Sequence, residues 1–169
     1  MADVEQSCPQ GVAIRTLTSA DTGLLREVAA LMLAAWGQSP TVEELDRRAM
    51  RLNDELQSMG RAVAAMFGAW SAGRLVGFAR AMQDKQDARS WWLFAVAVHP
   101  EHRRQRIATA LARAAIAYAM KRGAESIQSQ THADNLVSIQ WHLSMGFVNE
   151  GTVTAADGDR LAQFRIPLR

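Results

Sequence analysis

A chain of 169 residues is long enough to bury its own core without disulfides or metals, and one domain is the default at this length. Hydrophobic residues at 49% and charged residues at 21% exclude a disordered chain and a fibrous repeat. The formal net charge is only +2, and arginine supplies nearly all the basic residues, Lys85 and Lys121 being the only lysines, so no polyanionic partner is demanded. Cys8 is the only cysteine, which rules out an internal disulfide or a cysteine-rich zinc cluster and suits a reducing compartment. Asp3 and Glu5 stand where a secretion signal carries positive charge. The apolar runs VAALMLAAW and WWLFAVAV fall far short of the ~18 residues that cross a bilayer. The expectation is a single domain over residues 1–169, cytoplasmic and not bound to a membrane.

GVAIRTL at 11–17 reads as a first strand, after which Ser19 is placed to cap a helix with Leu24, Leu25, Val28, Leu31 and Met32 at helical spacing, ended by Gly37. Thr41 with Glu44 is a capping-box pair and opens a second helix carrying Leu45, Met50, Leu52 and Leu56, which stops near Gly60. Residues 62–70 and 75–83 form a hairpin about SAGR, with Gly73 in the turn. WWLFAVAV at 91–98 has the unbroken apolarity of a strand buried on both faces, and Pro100 closes it. Arg106–Met120 is helical, with Ile107, Leu111, Ala114, Ala115 and Tyr118 inward and Gly123 as its stop. SIQSQ at 126–130 is a strand, Leu136–Met145 a helix ended by Gly146, and residues 147–153 and 161–168 a closing hairpin. The class expected is α/β (α+β), in the order β-α-α-β-β-β-α-β-α-β-β.

Two stretches carry chemistry. In VHPEHRRQRIATAL, residues 98–111, an apolar strand ends at a proline, passes Arg103, Arg104 and Arg106, and resumes as a helix. Free N–H groups and the dipole at a helix start attract anions, so a loop over Arg103–Ala108 suits a pyrophosphate. In NLVSIQWHLSMGF, residues 135–147, Asn135, Ser138 and His142 recur at three and four residues and share one helical face.

Val98, Pro100, Arg103 and Ala108 match the V-x-P and [Q/R]-x-x-G-x-[G/A] signature of the GCN5-related N-acetyltransferase (GNAT) superfamily. Asn135, Ser138, His142, Gly146 and Phe147 match its N-x-x-[S/A]-x-x-x-[Y/H]-x-x-x-G-F segment. With this element order, the chain resembles that superfamily over roughly residues 11–168. Arg106 departs from the signature by standing where its first glycine is expected. Two outcomes are open there: it hinders close approach of the backbone, or it contacts phosphate itself.

The resemblance implies a mixed, splayed sheet flanked by helices, with acetyl-CoA as cosubstrate and a primary amine, of a small molecule, as acceptor. It implies that backbone groups of Val96 and Val98 receive the pantetheine. Arg103, Arg104, Gln105, Arg106, Ile107, Ala108 and Thr109 would hold the pyrophosphate, and Asn135 and Ser138 would border the same groove. His142 stands where many members carry a tyrosine that protonates the departing thiolate, which makes it the candidate catalytic residue; Tyr118 or water is the other acid. The reaction implied is direct attack of the amine, with backbone N–H groups near Val96 polarising the carbonyl and no covalent enzyme intermediate. WWLFAVAV holds no carboxylate, leaving Asp84, Asp87, Glu43 and Glu44 as candidate bases. The competing functions are a non-catalytic acyl-CoA-binding module and a protein N-terminal or lysine acetyltransferase, and a homodimer is compatible with the sequence. No helix-turn-helix spacing or aromatic interleaving points to nucleic acid, and no His or Cys/His spacing points to a metal. Trp91 and Trp92 read most simply as sheet packing, with one of them able to border the acceptor pocket.

Overall fold

The computed structural model describes residues 9–58 and 64–168; Cys8, the expected stop at Gly60 and residues 62–63 lie outside them. Strand β1 (Val12–Leu17) leads through a 3-10 turn (Ser19–Leu24) into helices α1 (Leu25–Ala35) and α2 (Val42–Ser58). Strands β2 (Ala64–Ser71), β3 (Arg74–Gln83) and β4 (Ser90–Val98) follow, then α3 (Ile107–Met120) and β5 (Ser126–His132). Helix α4 (Leu136–Ser144) and strands β6 (Val148–Thr154) and β7 (Arg160–Pro167) complete the order expected from the sequence. One boundary is corrected: the α-helix begins at Leu25 and not after Ser19. The Asp21 carboxylate accepts the Thr18 N–H at 2.8 Å and its hydroxyl at 3.0 Å, a local arrangement that competes with helical bonding and tightens the entry.

Local chemistry sets the other ends. Thr41 and Glu44 exchange the two reciprocal bonds of a capping box, at 2.9 and 3.3 Å. Gly37, at φ 69°, closes α1 by donating to the Ala34 carbonyl while Gln38 donates to that of Leu33, the double bond of a Schellman end. Ala72 and Gly73 both have positive φ between β2 and β3, as the tightest hairpin turn requires.

The seven strands run in the order β1-β2-β3-β4-β5-β7-β6, and only β4 and β5 pair in parallel. Leu25, Val28 and Leu31 of α1 and Leu52 of α2 pack on one face against Met66, Phe78 and Ala97. Ile107, Leu111 and Ala115 of α3 cover the other, against Ala69, Ala79, Trp91 and Leu93, and Ile139 and Trp141 of α4 with Met145 at its end join that core. A Cβ at Gly77 would lie 2.9 Å from Leu111 Cδ1 and 3.0 Å from Ile107 Cγ2, so the first turns of α3 rest on β3 because this position has no side chain. Met50, at helical spacing in the sequence, is 67% exposed, and Leu52 takes the buried place on α2. Among the described residues no helix is long and apolar enough to cross a membrane.

Candidate active site

Strands β4 and β5 pair only at Ser90 with Ser126, Trp91 with Ile127 and Trp92 with Gln128; beyond that point they part. On the other side of β4 the register slips between Phe78–Ala97 and Arg80–Phe94, with Ala95 at φ 53°, so β4 carries a bulge just past the fork. His99 donates its N–H to the Val76 carbonyl at 2.9 Å. Because successive residues of a strand send their polar groups to opposite edges, those of Val98 and Val96 point away from β3, toward the open side of the fork. Trp91, Leu93 and Ala97 are buried while Trp92 and Phe94 are half-buried, so the expected burial of this strand on both faces holds only in part.

The loop after β4 opens with a 3-10 turn (Pro100–His102) in which His99 Nδ1 accepts the Glu101 N–H at 3.4 Å. Arg104 and Arg106 have φ of 63° and 61°, and left-handed residues in such a turn gather successive N–H groups into an anion-binding concavity. Arg106 is also the N-cap of α3 and supplies no side-chain cap, so the first-turn N–H groups of Ile107, Ala108 and Thr109 keep no side-chain partner. The positive φ explains why glycine suits this position and what Arg106 overcomes there. Arg103, Arg104, Gln105 and Arg106 are all exposed. The Arg103 guanidinium donates to the Ala35 carbonyl at 2.6 Å, tying the loop to the end of α1.

Asn135 Oδ1 accepts the Ser138 N–H at 3.1 Å and caps α4. Trp141 Nε1 donates to Thr109 Oγ1 at 3.2 Å, which brings the two sequence motifs together. The polar face of α4 is nevertheless divided: Asn135 is exposed, Ser138 half-buried, and His142 only 3% exposed. The His142 ring stacks on Phe164 at 4.5 Å and meets Phe147 and Trp141 edge-on. Its Nδ1 lies 2.7 Å from the Ser138 carbonyl oxygen and its Nε2 2.9 Å from Ser129 Oγ. Burial pulls its pKa below the ordinary 6.5, with the Ser138 carbonyl opposing, which favours the neutral ring. Ser129 Oγ also lies 3.2 Å from the carbonyl oxygen of Leu93, the first residue beyond the paired part of β4. Sequence reasoning missed Ser129, whose one signal is its place two residues after Ile127, on the inward side of SIQSQ.

The carboxylates named as candidate bases hold other positions. Asp84 accepts from Trp92 Nε1 at 2.5 Å and from the Gln86 N–H at 2.7 Å, and these bonds, Trp92 first, hold its carboxyl below the usual range and make it a weak base. Asp87 accepts the Arg89 N–H at 3.0 Å in the same turn, and Glu44 is engaged in the α2 cap. Glu43 is exposed in the first turn of α2. The Tyr118 hydroxyl donates to the Ala64 carbonyl of β2 at 3.1 Å, two strands from the fork. On the α1–α2 side of β4, Trp92 and Phe94 stack at 5.5 Å, and Arg80 lies over Phe94 while ion-paired to Glu55 of α2. Trp91, by contrast, is fully buried in the core. Among the described residues no three His, Cys, Asp or Glu side chains gather as a metal site would need.

The model of the acetyltransferase (GNAT) family matches residues 27–147. No curated protein matches the chain. Among solved structures, a ribosomal-protein-alanine N-acetyltransferase from Brucella melitensis is 23% identical with a TM-score of 0.73, covering 92% of this chain and 99% of its own. The PaiA N-acetyltransferase from Thermoplasma acidophilum, in complex with coenzyme A, is 20% identical with a TM-score of 0.68 over 90% and 97%. Nourseothricin acetyltransferase is 26% identical with a TM-score of 0.58, over 63% of this chain and 66% of its own. The forked β4–β5 pair, the left-handed arginine loop and a family match spanning both motifs lead to one assignment: the chain belongs to the GNAT acetyltransferase family and is an N-acetyltransferase.

Proposed function

We propose that the protein transfers the acetyl group of acetyl-CoA to a primary amine of a small molecule, by direct attack of the amine on the thioester. The observation that carries the reading is the fork: β4 leaves β5 after Trp92, and the polar groups of Val96 and Val98 face the gap. That unpaired edge suits the amides of a pantetheine lying against it as an added strand. At its end the loop offers Arg103, Arg104 and Arg106 and the N–H groups of Ile107, Ala108 and Thr109 to a pyrophosphate. Bound acetyl-CoA supplies an activated acyl group on a thiol leaving group. N–H groups at the Ala95–Val96 bulge are the donors for the oxyanion. Asn135 and Ser138 set the start of α4 beside this groove, and His142 is the proposed source of the proton that the thiolate takes.

Support for a small amine comes from the α1–α2 side of β4, where the Trp92 ring stacks on Phe94 and Arg80 lies over Phe94 in an ion pair with Glu55; aromatic ring faces attract ammonium groups. The likeness to nourseothricin acetyltransferase points the same way, and the coenzyme A held by the Thermoplasma enzyme supports the cosubstrate. A cytoplasmic location agrees with the lone cysteine, and neither nucleic acid nor membrane enters the scheme. The test is transfer from labelled acetyl-CoA to spermidine, glucosamine and benzylamine, beside peptides with a free N-terminal alanine or a lysine. Faster transfer to the small amines is expected. Transfer to peptides alone moves the acceptor to protein, and coenzyme A binding with no transfer to any of them reduces the chain to a binding module.

A further inference from the structure

We propose that Ser129 is the group through which the buried His142 exchanges protons with the reacting thioester, the two residues forming a relay at the apex of the β4–β5 fork. The inference rests on the acetyl-transfer reading above and assigns a role to a residue outside both sequence motifs. Ser129 lies one residue beyond Gln128, the last residue of β5 paired with β4, and its Oγ touches both the Leu93 carbonyl oxygen, at 3.2 Å, and His142 Nε2, at 2.9 Å. The His142 ring packs among Phe164, Phe147 and Trp141, and Ser129, on the strand next to β4, is its polar contact on the side of the fork.

The Ser138 carbonyl only accepts, so the Nδ1 atom 2.7 Å from it carries a hydrogen. In the neutral ring Nε2 then only accepts, and the Ser129 hydroxyl is its donor. In the protonated ring Nε2 donates to Ser129, whose own hydrogen turns to the Leu93 carbonyl. The protonated pattern gives each of these contacts a hydrogen, whereas in the neutral pattern Ser129 turns its hydrogen to Nε2 and withdraws it from the Leu93 carbonyl; the two differ by one proton and one hydroxyl rotation. Burial favours the neutral pattern at rest, and no charged side chain contributes to the shift. The groups packed on the ring, Phe164 of β7, Phe147, Trp141 and Ser129 of β5, carry no charge.

The relay balances. Attack forms the N–C bond and leaves an excess proton on the amine nitrogen. Ser129 Oγ takes that proton as it passes its own to His142 Nε2. When the C–S bond breaks and sulfur keeps the electron pair, Ser129 gives a proton to sulfur and recovers one from Nε2. One proton has moved from nitrogen to sulfur and the protein is unchanged.

Ser129→Ala removes the link and leaves the imidazole in place. With whichever of the amines above is acetylated, kcat is expected to fall roughly 10²-fold or more, with the KM for acetyl-CoA and the calorimetric affinity for coenzyme A unchanged. Ser129→Ala combined with His142→Gln is expected to be no worse than either alone, as for groups acting as a unit. A second readout is the ¹⁵N resonance of His142 Nε2 in the folded wild type: coenzyme A is expected to shift it more than desulfo-coenzyme A, which has no thiol. Wild-type kcat in Ser129→Ala, additive losses in the double variant, or equal shifts with the two ligands would each overturn the relay. If Ser129→Ala does not fold, the wild-type comparison of the two ligands decides alone. A wild type that acetylates no amine counts against the acetyl-transfer reading, and the resonance comparison still judges the relay.

Discussion

The guanidinium of Arg103 donates to the carbonyl oxygen of Ala35 at 2.6 Å, so the loop that carries the positive charge is fastened to the last turn of α1. Arg103→Glu removes that bond and reverses a charge beside the proposed pyrophosphate site. Coenzyme A affinity measured by calorimetry is expected to drop about 10–100-fold, the range for a lost charge-assisted hydrogen bond, and Arg103→Lys is expected to fall between, because it keeps the charge and loses the fork of donors. Unchanged affinity in Arg103→Glu would separate this arginine from the phosphate.

Arg106 holds a left-handed backbone at φ 61°, which costs a side-chain-bearing residue about 1 kcal/mol relative to glycine. Arg106→Gly is therefore expected to raise the thermal midpoint by about 2–4 °C while weakening coenzyme A binding through the lost cation. A lower midpoint in this variant would mean that contacts of the arginine outweigh the backbone strain.

Ala95 sits at φ 53° in the β4 bulge, where a β-branched side chain is poorly tolerated. Ala95→Val is expected to cost about 1–3 kcal/mol in denaturant unfolding and to lower kcat more than it changes coenzyme A affinity, since in the proposed mechanism the bulge aims the donors of the oxyanion site. Wild-type kinetics in Ala95→Val would remove the bulge from the reaction.

The lowered pKa of His142 has a stability consequence of fixed sign. The unfolded histidine takes up a proton near its ordinary 6.5, while burial keeps the folded ring neutral to lower pH. The neutral ring's contribution is thus complete above 6.5 and is lost as pH falls through 6.5 toward the folded value. Thermal midpoints are expected to decline below pH ~6.5, and His142→Gln is expected to flatten that part of the profile. An identical decline in the variant would assign it to carboxylates such as Asp21, whose pairing with Arg15 lowers its pKa and which loses its contribution only at more acid pH.

The element order was legible because its signals are local. The Thr41–Glu44 box, the Gly37 helix end and the Ala72–Gly73 turn are each settled within a few residues, and periodicity marks the strands and helices between them. The charged loop was legible for the same reason, as a strand, a proline, three arginines and a helix in one stretch. Where a local bond competed with the pattern, as Asp21 does with the entry to α1, the boundary moved.

The sequence by itself determined the elements, their order, the charged loop and the family to which these belong, since all of these reside in short-range pattern and backbone preference. Only the tertiary structure decided what His142 can touch. Its helix was foreseen with a polar face, yet the imidazole lies buried against Phe164 and meets Ser129, 13 residues away, which in turn reaches Leu93, 36 residues away. Burial and desolvation depend on which strands pack beneath a side chain, and here that is set by β5 pairing in parallel with the first three residues of β4 and then leaving it. Contacts of that kind are closed by the whole sheet, and no spacing along the chain records them.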